Sequence, residues 1–282
     1  MNWRRAISKL FEFACLGATL ASVALLVVLL ANVVYHGASR LNWNLLTSFP
    51  SRFPDKAGIK AALWGSVWLI SLTTLFAVPV GVGAAVYLEE YGRRNWWQRI
   101  VETNISNLAG VPSIVYGILG LGLFVRALAF DRSVLAGSLT MTLVILPIVI
   151  ISSQEALRAV PSSIRHASYA LGATRWQTVW HQVLPAALPG LLTGVVLAIS
   201  RAMGEAAPLI MIGALTYVAF VPKSPMDPFT ALPIQIFNWS SRPQEAFRDV
   251  AAAGIIVLLV LLLLMNAAAV ILRHRSGKNV RW

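Results

Sequence analysis

The sequence predicts an all-α integral membrane protein with six transmembrane helices. Hydrophobic residues make up 57% of its 282 residues, charged residues make up only 12%, and the mean hydropathy is +0.71. This composition is typical of a multi-pass membrane protein. A hydrocarbon core of about 30 Å needs roughly 20 apolar residues per helical crossing. Six windows meet this requirement: 14–34, 63–88, 104–129, 134–152, 187–219 and 250–272.

The first window follows a basic segment, MNWRRAISKLFEF, and so has the layout of a secretory signal peptide. Its apolar run is longer than the roughly 7–15 residues of a signal-peptide core, and no A-x-A cleavage site follows it. We therefore expect a retained first helix. Cys15, the one cysteine of the sequence, lies in this helix, which excludes an intrachain disulfide and a cysteine-based metal site.

The fifth window, 187–219, is longer than one crossing requires. It is either tilted or interrupted near Gly204 and Pro208, and we count it as one span. The chain then divides into an N-terminal segment with the first helix and its external loop, a transmembrane domain, and a basic cytoplasmic tail. These three parts are residues 1–62, 63–272 and 273–282.

The distribution of Lys and Arg predicts the orientation, because cytoplasmic loops are enriched in these residues. With both termini inside, 13 of the 23 basic residues are cytoplasmic, 9 are external and Arg201 lies within the fifth window. The net charge of +12 is explained by this topology and by anionic headgroups. Nucleic acid binding is disfavoured, because the basic residues are scattered over two membrane faces.

Several enzyme classes lack the residues that they need. No G-x-x-x-x-G-K-[ST] phosphate loop occurs, so energy for transport has to come from a partner or a gradient. No Ser-His-Asp order, H-E-x-x-H helix or carboxylate cluster is present, and the four histidines are dispersed. We predict a transport subunit with no catalytic residues, no metal site and no cofactor bound by this chain.

Two short helices are predicted between the fourth and fifth windows, in QEALRAVPSSIRHASYALGATRWQTVWHQVLPAALPG. Gly172 ends the first helix, Thr174 caps the second with Gln177 as its capping-box partner, and Leu184-Pro185 closes it. An apolar stripe at helical spacing is expected on the second helix: Trp176, Val179, Trp180 and Val183. This elbow is either a loop packed on its own bundle or a docking surface.

Two charges interrupt the fifth window, which reads LAISRAMGEAAPLIMIG at residues 197–213. A charge at the bilayer centre costs on the order of 2.5–3.5 kcal/mol on insertion scales, so such residues normally face a bundle interior. Arg201 and Glu205 are four positions apart, which predicts one face of one helix and a pair. The pair either locks helices together or presents a guanidinium to an oxyanion in transit. Other candidates for the pathway are Ser200, Asn104, Asn107 and Ser113.

The elbow has a recognisable order of residues. Ala167, Gly172, and Leu184-Pro185 follow the spacing of the EAA loop of ABC importer permeases, which this segment resembles. The resemblance implies a type I ABC importer permease (MetI-like) architecture with a cytoplasmic coupling helix that docks on an ATPase subunit. Three positions depart from the pattern: His166, Ser168 and Gln182. The residues that would form the coupling loop are His166, Ala167, Ser168, Gly172, Ala173, Leu184 and Pro185.

Four further stretches are similar to the permease subunits of phosphate-specific ABC transporters, and the last of them to the PstA type. They are LAGVPSIVYGILGLGLFV (108–125), YALGATRWQTVW (169–180), ISRAMGEAAPL (199–209) and ALPIQIFNWSSRP (231–243). This resemblance implies that 63–272 is a permease domain in a bacterial inner membrane. The implied partners are a PstC-like second permease, two PstB-like ATPase subunits that bind ATP and Mg²⁺, and an external PstS-like phosphate-binding protein.

We therefore predict the permease subunit of an ATP-driven phosphate importer, with Arg201 and Glu205 at the translocation site. A permease for another oxyanion is the alternative within this class. An anion channel or exchanger subunit is the alternative from a different class, since a buried arginine serves there too. The elbow discriminates between them, because a channel needs no surface that docks an ATPase. The segments 35–62 and 220–249 are the candidates for receiving the external binding protein.

Overall fold

The computed structural model describes residues 2–92, 95–214 and 217–277, and that part is helical apart from loops and one isolated β-bridge. The helices are α1 (Asn2–Gly37), α2 (Trp43–Thr47), α3 (Lys60–Val86), α4 (Trp96–Ala109), α5 (Ser113–Gly120), α6 (Val134–Arg158), α7 (Ser162–Ala170), α8 (Arg175–Thr178), α9 (Leu184–Gly204), α10 (Ala207–Met211), α11 (Leu232–Ser240) and α12 (Ala246–Gly277). Stretches of π-helix continue α3, α5 and α8: Tyr87–Tyr91, Leu121–Ala127 and Val179–Val183. Short 3₁₀ turns are Ala38–Arg40 and Pro54–Lys56. Predicted cytoplasmic residues outside the described part are Arg93, Arg94, Lys278 and Arg281.

The predicted all-α membrane architecture is confirmed. Five helical runs in the described residues are long and apolar enough to cross a membrane: Ile7–Arg40, Lys60–Tyr91, Val134–Arg158, Arg175–Gly204 and Ala246–Ile271. A sixth crossing is complete when the bent pair of helices α4 and α5 is counted as one.

The third window, 104–129, is not the single helix that the sequence predicts. The axes of α4 and α5 meet at 100° across a break that contains Pro112. Proline has no N–H to continue the helical ladder and disfavours helical backbone at Val111 before it. The Tyr116 hydroxyl donates to the Leu108 carbonyl at 2.8 Å and ties the two sides of this corner together.

The fifth window, 187–219, is also wrong as a single span. The helical run begins earlier, at Arg175, and ends at Gly204. After a short non-helical link, α10 spans Ala207–Met211. The interruption expected near Gly204 and Pro208 is thereby confirmed.

Helix α6 is the centre of the bundle, and it packs against α3 on one side and α9 on the other. Its apolar window is 67% buried, whereas that of α1 is 0% buried. Small residues allow the close approach of α9, since a Cβ at Gly190 would lie 2.8 Å from Ala156 Cβ and a Cβ at Gly194 would overlap the Ser152 side chain. Helix α1 therefore lies at the periphery, with its apolar surface free for lipid or another subunit.

The loops gather at the two ends of α6. At the loop end, residues 38–59 and 217–245, a buried cluster forms from Leu45, Ile59, Leu232, Trp239 and Phe247. The Val134 N–H donates to the Asp227 carbonyl at 3.0 Å, which fixes this loop to the start of α6. The elbow, residues 162–184, lies at the opposite end of α6. The loop end and the elbow are thus separated by the length of α6.

Candidate functional site

Arg201 lies in the last turn of α9, and Glu205 follows the helix as its C-cap with extended backbone (φ −82°, ψ 120°). The prediction that both lie on one helix is therefore wrong for Glu205. Pro208 supplies the reason, because it has no N–H to donate to the Gly204 carbonyl, so the helix cannot continue. The break leaves Arg201 at the carboxyl end of α9, where the helix dipole favours a cation.

The two charges nevertheless meet, as the sequence predicts. Arg201 Nε lies 3.6 Å from Glu205 Oε1, longer than the usual N–H···O range of about 2.7–3.2 Å. The Arg201 side chain is 52% exposed and that of Glu205 is 21% exposed. Within the described residues, the guanidinium has no hydrogen-bond acceptor at normal distance. Its forked donors are therefore available to an anion.

Glu205 is the inner member of the pair. It borders a narrow crevice that does not admit a water molecule, with walls formed by Ser66, Ala202, Met203 and Leu209, among others. Its backbone N–H donates to the Ala202 carbonyl at 3.2 Å, which holds the turn closed behind the carboxylate. The carboxylate is thus held against an apolar wall while the guanidinium extends outward.

Ser200, a candidate for the pathway, has a hydrogen-bond partner on another span, and its role in the pathway stays a prediction. Its hydroxyl donates to Asn266 Oδ1 on α12 at 2.6 Å, and the two side chains share a groove with Thr193 and Arg273. The bond joins two spans, as hydroxyls in membrane helices commonly do. Sequence reasoning missed Asn266, although it stands alone as a polar residue in the apolar run LLLLMNAAAV.

The remaining pathway candidates are not brought to the charged pair by any described hydrogen bond. Asn104 is exposed on α4 and donates to the Ile100 carbonyl at 2.8 Å. The backbone carbonyl of Asn107 accepts from Gly110 in the turn before the corner. Ser113 is the first residue of α5. A role for these three in the pathway stays a prediction.

The elbow forms with the predicted local chemistry. Gly172 has φ +82° just after α7, and the Thr174–Gln177 capping box begins α8. His166 and Ala167 are exposed, and so is Leu171, at 90%. The elbow therefore presents an accessible surface at the end of the bundle.

Ser168, one of the departures from the EAA pattern, has a structural partner. Its hydroxyl lies 2.8 Å from Thr178 Oγ1, and the Thr178 side chain is fully buried. The bond joins α7 to α8 across the turn at Gly172. A hydroxyl at position 168 thus adds a link within the elbow that an alanine would not make.

The second helix of the elbow does not close at Leu184-Pro185, and this prediction is wrong. Helix α8 continues through the π-helical stretch Val179–Val183 directly into α9. Pro185 occupies the first turn of α9, where its missing N–H is tolerated. One continuous run from Arg175 to Gly204 therefore joins the elbow to the charged pair.

The expected single apolar stripe on this run divides into two faces. Val179 and Val183 are buried, whereas Trp176 and Trp180 are 60% and 56% exposed and stack with ring centroids 5.5 Å apart. The π-helical stretch Val179–Val183 is wider than an α-helix, so it turns these side chains out of the regular helical register. The two indoles add a large aromatic patch to the exposed side of the elbow.

Comparison with known proteins gives a consistent result. Residues 77–278 match the family described as binding-protein-dependent transport system inner membrane component. The chain is 33% identical over 226 residues to the probable ABC transporter permease protein YqgI of Bacillus subtilis (strain 168). This match covers 76% of this chain and 77% of YqgI. It is 31% identical over 256 residues to the phosphate transport system permease protein PstA of Haemophilus influenzae, which covers 89% of this chain and 88% of that protein.

The fold is similar to that of a solved transporter. A chain from the inward-facing MetNI methionine ABC transporter superposes with a TM-score of 0.65 at 19% sequence identity. The match covers 76% of this chain and 94% of the MetNI chain. At this level of identity the similarity concerns the arrangement of helices. It agrees with the type I importer architecture expected from the elbow.

Proposed function

This chain belongs to the family of binding-protein-dependent transport system inner membrane components, and on that premise we propose that it is the PstA-type permease subunit of an ATP-driven phosphate importer. The match to PstA of Haemophilus influenzae over most of both chains supports the substrate class. The chain is a transport subunit, and a separate ATPase subunit carries out ATP hydrolysis with Mg²⁺. No catalytic role falls to this chain itself.

The main support for the proposal is the exposure of the Arg201 side chain on one side of the chain. An arginine in an apolar span that is 52% exposed on its own chain has its charge uncompensated on that side. A second, PstC-like permease facing this surface would enclose a polar path between the two subunits. The guanidinium would then donate to phosphate oxygens in the forked geometry that suits oxyanions.

Glu205 provides a means of discrimination. Its carboxylate lies 3.6 Å from Arg201 and is an acceptor for the proton of hydrogen phosphate. Sulfate is fully ionised and has no proton to donate, so the same carboxylate repels it. The pair therefore favours a protonated tetrahedral anion over an unprotonated one.

The continuous run from Arg175 to Gly204 supports energy coupling. One end of this run is the elbow and the other end holds Arg201, so a displacement of the elbow reaches the path through one rigid element. Two PstB-like ATPase subunits would engage the exposed surface around His166, Ala167 and Leu171. A PstS-like binding protein would deliver phosphate at the loop end, over the segments 35–62 and 220–249.

The membrane setting follows from family and charge. The family consists of inner membrane components, and the described apolar helices agree with a multi-pass protein. The excess of Lys and Arg on the elbow side supports cytoplasmic N- and C-termini. Uptake then runs from the loop end outside to the elbow end inside.

The test is uptake of radiolabelled phosphate and sulfate by the complex reconstituted with its partners, at equal complex yield. Arg201→Met is expected to lower phosphate uptake by about 10- to 100-fold, the equivalent of one charge-assisted hydrogen bond of about 1.5–3 kcal/mol. Glu205→Gln is expected to narrow the preference for phosphate over sulfate. Uptake by both variants near that of wild type would contradict the proposed path.

Arg126→Met is the control. It also removes an exposed arginine beside an apolar helical stretch, since Arg126 lies in the last turn of the π-helical segment Leu121–Ala127, outside the proposed path and the segments that would receive the binding protein. Uptake by this variant is expected to equal that of wild type, because substitution of an exposed surface residue has little effect on the fold.

A further inference from the structure

Two adjacent carboxylates stand at the elbow end of α3, and sequence reasoning missed both. Glu89 and Glu90 lie in the π-helical stretch Tyr87–Tyr91 that continues α3. The extra residue in each turn of a π-helix shifts side chains out of the regular helical register. The two glutamates bind different parts of the molecule.

Glu90 binds the elbow itself. Arg165 on α7 places Nη2 at 2.6 Å and Nε at 3.1 Å from Glu90 Oε1. The glutamate side chain is 6% exposed and the arginine side chain is 20% exposed. A forked pair that is largely removed from water holds its geometry far better than an exposed ion pair.

Arg165 also reaches the end of α6. Its Nη1 donates to the Val160 carbonyl at 2.8 Å, and its Nη2 donates to the Leu157 carbonyl at 3.0 Å. Leu157 lies in the last turn of α6, and Val160 follows two residues after the end of that helix. One guanidinium therefore joins the coupling elbow to two membrane helices, α3 through a carboxylate and α6 through its backbone.

Neighbouring contacts reinforce this junction, by which we mean the Glu90–Arg165 pair and the bonds of Arg165 to the end of α6. Glu89 pairs with Arg158 at the end of α6 and accepts from Gln154 Nε2 at 3.1 Å, so the two helices are joined a second time. A buried apolar cluster connects the same elements: Ala85, Leu157, Val160, Val183, Ala187 and Leu191. The end of α3, the end of α6 and the base of the elbow thus form one packed unit.

We infer that Glu90 and Arg165 are positioning residues that make the elbow move as one body with α3 and α6. The inference rests on the proposed function, in which an ATPase displaces the elbow. The continuous α8–α9 run carries that displacement to Arg201 by itself. The Glu90–Arg165 pair carries it to the other side of the bundle core, so that the whole subunit changes conformation together.

The first experiment measures phosphate uptake and ATP hydrolysis in the same reconstituted complex. Arg165→Gln and Glu90→Gln are expected to assemble with the ATPase subunits and to hydrolyse ATP, while phosphate transported per ATP falls at least about fivefold, the lower end of typical coupling between sites. In the double variant, phosphate transported per ATP should be no lower than in either single variant, because the two single variants and the double variant all remove the same Glu90–Arg165 interaction. Glu155→Gln, which breaks the exposed ion pair between Glu155 and Arg158, should leave the ratio unchanged.

A second experiment does not depend on phosphate. In a Cys15→Ser background, one spin label is attached to Tyr87→Cys, in the π-helical stretch that continues α3, and the other to Ser163→Cys on the elbow. Both positions are exposed. The distance between the labels is expected to be the same with and without ATP when Glu90 and Arg165 are intact. In Arg165→Gln the distance should change when ATP is added.

The outcomes separate the two proposals. A wild-type complex that hydrolyses ATP without phosphate uptake would refute the proposed substrate, while the label distances would still test the junction. Two results would overturn the inference about Glu90 and Arg165. One is a distance between the spin labels that changes with ATP in the intact protein. The other is an Arg165→Gln variant in which neither this distance nor the phosphate transported per ATP changes.

Discussion

At the scale of single residues, some buried hydroxyls of the membrane helices have backbone acceptors on the same or a neighbouring helix, whereas the described residues offer the Arg201 guanidinium no acceptor at normal distance. Thr73 donates to the Ser138 carbonyl at 3.3 Å, and Ser138 donates to the Val134 carbonyl at 2.8 Å. Such bonds remove the cost of placing a polar group among apolar ones. Arg201 instead meets Glu205 at 3.6 Å and extends its donors away from the bundle. This difference is the reason that we place the proposed path at Arg201.

Asp227 gives a pH prediction at the same scale. The N–H groups of Lys223 and Ser224 donate to its carboxylate at 2.7 and 2.9 Å, and these bonds lower the pKa of Asp227 below its ordinary value of 3.8. A group whose pKa is lowered by folding stabilises the fold above its unfolded pKa and loses that contribution as the pH falls through the folded pKa. The turn at 223–227 should therefore be equally ordered from about pH 7 to pH 5 and should loosen in stronger acid.

Hydrogen exchange of residues 217–230, corrected for the intrinsic pH dependence of exchange, provides the measurement. In Asp227→Asn, the amide hydrogens of this segment should exchange faster than in wild type at neutral pH. Their exchange should no longer increase when the solution is made more acidic. Identical exchange in the two proteins at pH 7 would mean that the carboxylate does not order this loop.

At the scale of elements, interruptions and continuations of helices decide how the site is built. Pro112 makes a corner of 100° between α4 and α5, and Pro208 ends α9 just after the charged pair. Pro185, by contrast, comes two residues after the π-helical stretch Val179–Val183 and lies within the continuous run from Arg175 to Gly204. A proline therefore accompanies a helix break at one position and is accommodated within a helical run at another.

Gly172 provides the prediction for the elbow. Its φ of +82° is a conformation that L-residues adopt at a cost, while open space surrounds the position of its missing Cβ. Gly172→Ala should therefore destabilise the turn by about 1 kcal/mol through the backbone alone. Thermal unfolding of the complex and ATP-driven uptake should both decline modestly. Gly204→Ala, which also has open space but no positive φ, is the matched control and should retain stability.

At the scale of the whole molecule, much of the apolar helical surface lies outside the core of the chain. Helix α6 is enclosed by α3 and α9, whereas the apolar windows of α1 and α12 are 0% and 6% buried. Arg201 lies on a helix that is only 28% buried over its apolar window. The single chain therefore leaves Arg201 half exposed, and in the proposed complex a second permease would cover it.

Thiol labelling tests this arrangement. In a Cys15→Ser background, Arg201→Cys should react readily with a charged thiol reagent in the solubilised single chain, because position 201 is half exposed. Assembly with the second permease should slow the reaction. Arg52→Cys, at an exposed position of the loop end, is the control and should react equally in both states. Equal reactivity of position 201 before and after assembly would place the path elsewhere.

Much of this protein follows from its sequence, because the relevant physics is local. Hydropathy over about 20 residues identifies a membrane helix whatever its neighbours are. Gly172 and the Thr174–Gln177 capping box specify the elbow from within a few positions. The charges at 201 and 205 were conspicuous because nothing else in their window is charged.

The tertiary structure decided the rest, because it depends on partners that are distant in the chain. Glu90 and Arg165 are 75 positions apart, and no local pattern relates them. Pro185 and Pro208 both lie in the first turn of a helix, yet the chain is continuous with the preceding helix only at Pro185, a difference that the residue type alone does not reveal. Sequence alone thus determined which groups are present in the membrane, and folding determined which of them meet, because desolvation and packing act between elements rather than within them.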